Sequence, residues 1–134
     1  MNKIQSFSLL AVLILSAIPS SANEYKYLEC KGSHQWFDEK KKPTTNMMQR
    51  IRITLDEPSE KIIVSTDLYP STAWRWATFD KNQIRTEAKN DSAEDLLIIN
   101  RDTGNYTLSG YFGKGYSKIV YFKAEGNCKP KDPA

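Results

Sequence analysis

One histidine, two cysteines and a knot of aromatic side chains are the residues here whose types can do chemistry. His34 stands in Gly32–Ser33–His34–Gln35–Trp36. A Ser–His–Asp hydrolase would have to use it, yet there is no G-x-S-x-G elbow to present a nucleophile. The single histidine also leaves no multi-histidine metal site. His34 is therefore expected in an exposed loop. Asn90–Asp91–Ser92–Ala93–Glu94–Asp95 is acidic but lacks the ligand spacing and glycine of an EF-hand, and reads as a solvated loop. Asp38–Glu39 and Asp56–Glu57 pair carboxylates within turn sequences, where ordinary solvated charge explains them. Gly113–Lys114–Gly115 lacks the following helix of a phosphate loop. No catalytic residue, metal ligand or cofactor is expected, and the chain is not read as an enzyme.

The candidate binding residues are Tyr69, Trp74, Arg75 and Trp76. On a strand, residues i and i+2 share a face, so Trp74 and Trp76 form one surface and Arg75 points the other way. The bulk of tryptophan favours packing into the core. The alternative is a barrel mouth, lined also by Tyr106, that stacks on a sugar or an apolar ligand. Arg50 and Arg52, with Arg75 and Arg85, would make a cationic stripe, read as an outer face paired with acids.

These residues need a scaffold, and the chain's organisation describes one. Lys3 gives a positive start, Ile4–Ile18 is mostly apolar, Pro19 breaks the run, and Ser20–Ser21–Ala22 offers small residues for cleavage. Residues 1–22 are expected to be a secretory signal peptide cut after Ala22. Fifteen apolar-rich positions are too few to span a bilayer, which needs ~20. No transmembrane anchor is expected. Of 134 residues, 112 remain after cleavage, with 18 basic and 16 acidic side chains, a formal net charge of +2. That is one domain's length, residues 23–134. The charge is too low for a nucleic-acid binder, which needs clustered positive side chains. Export to the periplasm or beyond places Cys30 and Cys128 in an oxidising compartment, where they are expected to form a disulfide joining the two ends of the domain. Such a bridge asks for Cα atoms within ~7 Å.

The mature chain reads as strands throughout. Glu24–Lys31, Met47–Leu55, Lys61–Thr66, Ala73–Phe79, Gln83–Ala88, Leu96–Arg101, Asn105–Phe112 and Tyr116–Ala124 carry the alternation or β-branched enrichment of strands. Asp102–Thr103–Gly104 is the strongest hairpin signal, with glycine placed for a left-handed conformation. The lysine run and Pro43 make Ser33–Asn46 a loop. An all-β domain of about eight short strands follows, an antiparallel barrel or sandwich, expected as a monomer.

Cys30–Lys31–Gly32, Gly126–Asn127–Cys128 and the hairpin Ile99–Asn100–Arg101–Asp102–Thr103–Gly104–Asn105–Tyr106 together resemble a group of small exported bacterial β proteins. The architecture is also similar to the exported eight-stranded inhibitors of C-type lysozyme. The resemblance implies an exported location and an all-β fold, and it brings no site residue with it. The function expected is binding of a protein partner, as an inhibitor or envelope accessory. Binding of a small ligand or carbohydrate at an aromatic-lined barrel mouth is the alternative.

Overall fold

A computed structural model describes residues 25–113, 115 and 118–132. The signal peptide read over residues 1–22 lies outside them. Nine strands form: β1 (Lys26–Phe37), β2 (Pro43–Asp56), β3 (Lys61–Thr66), β4 (Arg75–Trp76), β5 (Thr78–Phe79), β6 (Gln83–Lys89), β7 (Ala93–Asn100), β8 (Asn105–Phe112) and β9 (Val120–Lys131). Period-two alternation decides which side of each strand faces in. In β2, Gln49, Ile51, Ile53 and Leu55 are buried, while Arg50 and Arg52 face water. In β6, Ile84 and Thr86 are inside, and Arg85 and Glu87 outside. The apolar run of β7 buries Leu97 and Ile99 and leaves Leu96 and Ile98 half-buried, as for a barrel stave.

The sheet order is β4-β3-β2-β1-β9-β8-β7-β6-β5, all antiparallel. β4 and β5 lie on one segment either side of Ala77, whose backbone N–H donates to the Glu60 carbonyl at 3.0 Å. That segment pairs with β3 on one side and β6 on the other, so the sheet curls into a nearly closed, up-and-down barrel. Counting it once gives eight staves, and a barrel rather than a sandwich.

β1 and β9 close the ring of chain neighbours, and their register sets Cys30 directly against Cys128. The two are disulfide-bonded, with Cα atoms 3.9 Å apart and a separation of 98 in sequence. Two residues on, Gly32 faces Gly126, and Gly126 in turn faces Tyr106 of β8. A Cβ on Gly32 would fall on the Glu125 carbonyl and within 2.6 Å of the Tyr106 hydroxyl. The missing side chains leave the room that the Tyr106 ring occupies at the barrel's centre, where it is 2% exposed. It packs in one cluster with Ile51, Ile53, Ile62, Leu97 and Ile99.

The two ends of the barrel differ. At the end where β2 leads to β3, β5 to β6 and β7 to β8, one side chain ties all three turns. Arg101 grips Glu57 through Nη2–Oε1 at 2.8 Å and Nη1–Oε2 at 3.2 Å, and its Nη1 donates to the Asp80 carbonyl at 3.0 Å. The Asp102–Thr103–Gly104 hairpin forms as expected, with Gly104 at φ +82° and the Asn100 side chain accepting from the Asp102 and Thr103 N–H groups. At the opposite end, the segment expected as a loop over Ser33–Asn46 is mostly strand. Only 38–42 turn. There Asp38 Oδ1 accepts from the N–H groups of Lys40 and Lys42, each at 2.9 Å, and Lys41 adopts φ +63°. Pro43 is the first residue of its strand, a position that tolerates a missing N–H.

Candidate functional site

The second end of the barrel is not filled by its own side chains. A cavity of about 700 Å³ opens there, within the size range of small-molecule sites. β1, β8 and β9 supply one wall through inward positions spaced by even numbers of residues: His34 and Trp36, then Leu108 and Phe112, then Phe122. The rings form a contiguous aromatic surface. Trp36 meets Phe112 edge-on at 5.6 Å between centroids and Phe122 at 5.8 Å, and His34 stacks on Phe122 at 5.6 Å.

The facing wall is polar and internally paired. Arg75 points inward, as Ala77 does two residues later. Its Nη2 meets Asp95 Oδ1 at 2.9 Å, its Nη1 meets Oδ2 at 3.4 Å, and its Nε donates to Thr86 Oγ1 at 3.1 Å. The Thr86 hydroxyl donates to the Trp76 carbonyl at 2.8 Å. This fork also links the short stave to β6 and β7 where its pairing to β3 and to β6 is only two residue pairs long on each side. The charged residues lining the cavity are Arg75, Lys89, Glu94 and Asp95, two of each sign.

His34 departs most from the sequence expectation. It is not an exposed loop residue but a buried strand residue, 3% exposed, with Nδ1 hydrogen-bonded to Gln49 Oε1. With the amide oxygen facing it, Nδ1 carries the proton and donates, and Nε2 keeps a bare lone pair. That Nε2 is buried and has no partner, as is the Tyr106 hydroxyl. Leaving a buried polar atom unmatched costs ~1–3 kcal/mol. Burial lowers the His34 pKa below its ordinary 6.5, against a smaller upward pull from Gln49, so the imidazole is held neutral. Burial raises the Tyr106 pKa above its ordinary 10.0.

These shifts fix a pH dependence. As pH falls below 6.5, the unfolded chain takes up a proton on His34 before the folded one does, and stability drops. As pH rises above 10.0, the unfolded chain loses the Tyr106 proton first, and stability drops again. The urea midpoint is expected to be level between those values and to fall on either side. His34→Gln should flatten the acid-side slope between pH 6.5 and 5.5; an unchanged slope in that variant would assign it to other groups.

Of the four residues expected to bind, Tyr69 and Arg75 line the cavity, and Trp74 and Trp76 do not. The tryptophan pair is neither core nor mouth: Trp74 is 39% and Trp76 69% exposed on the outer face. Trp76 lies under Lys61 Nζ at 5.1 Å, and Trp74 packs on Tyr25 at 5.4 Å between centroids. The alternation was right, but the smaller Ala77 and the acid-paired Arg75 take the inside. Tyr106 fills the core and lines no mouth. Arg50, Arg52 and Arg85 are exposed, with Arg52 paired to Asp67 and Arg85 to Glu87. His34, Trp36, Gln49, Phe112 and Phe122 are the site residues that sequence reasoning missed. For His34 and Trp36 the signal is the continued spacing Cys30, Gly32, His34, Trp36 beyond Lys31, where the first expected strand ends. Among the described residues, no three His, Cys, Asp or Glu side chains are placed to hold a metal ion, and no helix is long and apolar enough to cross a membrane. The chain matches no protein-family model, no curated protein and no solved structure, so the cavity is read from its own geometry.

Proposed function

We propose that this protein is an exported, non-catalytic binder of a small, largely apolar molecule, held in the open half of its barrel. The cavity supports this through its wall of Trp36, Phe112 and Phe122, facing a self-paired Arg75–Asp95 fork. Apolar walls with few placed polar groups are the usual make-up of a ligand site. The disulfide agrees with life in the periplasm or outside the cell, where such bonds persist. Titration calorimetry with 4-phenylphenol, a flat and neutral probe, is the test. Saturable one-to-one binding is expected. Ala93→Trp, which places an indole in the cavity, should weaken it by at least about tenfold, or ~1.4 kcal/mol. Binding that ignores Ala93→Trp, or no saturable binding at all, would remove the proposal.

A protein partner is the second reading. It is favoured by apolar side chains left in water on the outside, where Met48 is 75% and Trp76 69% exposed. Lone exposed apolar residues are common on monomers, so this observation carries less than the cavity does.

A further inference from the structure

One residue that lines the cavity carries a buried polar atom left unmatched. The Arg75 guanidinium is held by Asp95 and Thr86, and the Thr66 hydroxyl accepts from the Tyr69 N–H at 2.8 Å. Among the described residues, the buried side-chain polar atoms without a partner are His34 Nε2 and the Tyr106 hydroxyl, and of these two residues only His34 lines the cavity. His34 is 97% buried, flanked by Trp36 and Phe122, whose rings lie 4.5 and 5.6 Å from its own. An apolar molecule with no polar group would leave that lone pair unmatched. An anion would meet it with repulsion, would find Arg75 already occupied, and would have only the exposed Lys89 to pair with. A hydroxyl or N–H at the buried end of the ligand would satisfy it.

We infer that the ligand is an uncharged, flat or apolar molecule carrying a hydrogen-bond donor at its buried end, which His34 Nε2 accepts. This rests on the cavity being the ligand site, as proposed above. His34 is then the specificity residue, and Gln49 is a positioning residue that fixes its tautomer. Sites built to hydrogen-bond a donor discriminate against analogues that lack it.

The test compares three probes of one shape on the purified, oxidised protein: 4-phenylphenol, 4-methoxybiphenyl and biphenyl-4-carboxylate. The phenol, neutral at pH 7.5, is expected to bind about tenfold or more tightly than the methyl ether. The carboxylate is expected to bind weakest. His34→Phe should remove the phenol's advantage, bringing its affinity to within about threefold of the ether's in the same variant. Should that variant not fold, nitrogen NMR of the wild type answers instead. The Nε2 resonance of His34 should move upfield with the phenol and stay with the ether. Equal affinities for phenol and ether, with an unmoved nitrogen, would overturn the donor rule while leaving the cavity as a ligand site. Tightest binding of the carboxylate would overturn it as well. Binding of none of the three would overturn the cavity proposal and this inference together.

Discussion

Conversion of Cys30 and Cys128 to alanine is expected to lower stability by ~2–5 kcal/mol. The reason lies in where the bridge sits. An up-and-down barrel is held by chain neighbours everywhere except at one seam, where its last strand must find its first. Here that seam is β1 against β9, and the disulfide crosses it at Cys30 and Cys128, directly opposite each other. The 98-residue separation is nearly the whole folded chain, so the bridge restricts the unfolded ensemble over almost its full length. The chain-entropy model puts a loop of that length at ~4–5 kcal/mol. Both cysteines are buried, so alanine adds a small packing loss. Urea unfolding of the oxidised, reduced and double-alanine proteins measures this. The reduced and alanine forms should fall together. A loss below about 1 kcal/mol would mean that the β1–β9 ladder alone secures the seam.

Tyr106→Ala is expected to be of similar size, ~3–5 kcal/mol, the range for emptying the site of a large buried aromatic. The ring fills the middle of the barrel above Gly32 and Gly126, and neither glycine has a side chain with which to fill the space. Tyr106→Phe should behave quite differently. The hydroxyl has no partner, so its removal forfeits no hydrogen bond and is expected to change stability by less than ~1 kcal/mol, or to raise it. It should also abolish the loss of stability above pH 10.0, because the titrating group is gone. A large penalty for Tyr106→Phe would show that the hydroxyl is matched in solution. A small penalty for Tyr106→Ala would show that the barrel's centre collapses onto the space.

Much of this architecture was legible in local patterns. Ile51, Ile53 and Leu55 against Arg50 and Arg52 fix the inner face of β2 without outside help. Asp102–Thr103–Gly104 carries its own turn chemistry. The cysteine pair had only one intramolecular partner to choose. What stayed hidden depends on distant contacts. Lys40–Lys41–Lys42 and Pro43 look like loop because four residues of tip chemistry dominate a long hairpin; the strand character of Ser33–Phe37 shows only once β2 and β9 pair with it on either side. Alternation grouped Trp74 with Trp76 but could not say which face was inside. That was decided by Asp95, 20 residues from Arg75 in sequence. The burial of His34 likewise needs Gln49, 15 residues on. Barrel against sandwich turned on the short stave around Ala77: its alternation marks Ala73–Phe79 as strand but does not say that it bridges β3 and β6.

Heteronuclear NMR of the oxidised protein titrated with 4-phenylphenol reads, site by site, where a small molecule lodges. Saturable shifts are expected at Trp36, Phe112, Phe122 and the His34 imidazole, with the core residues Ile53 and Ile62 unmoved. Shifts confined to the outer Trp74, Trp76 and Met48, or none that saturate, would contradict the cavity as the ligand site.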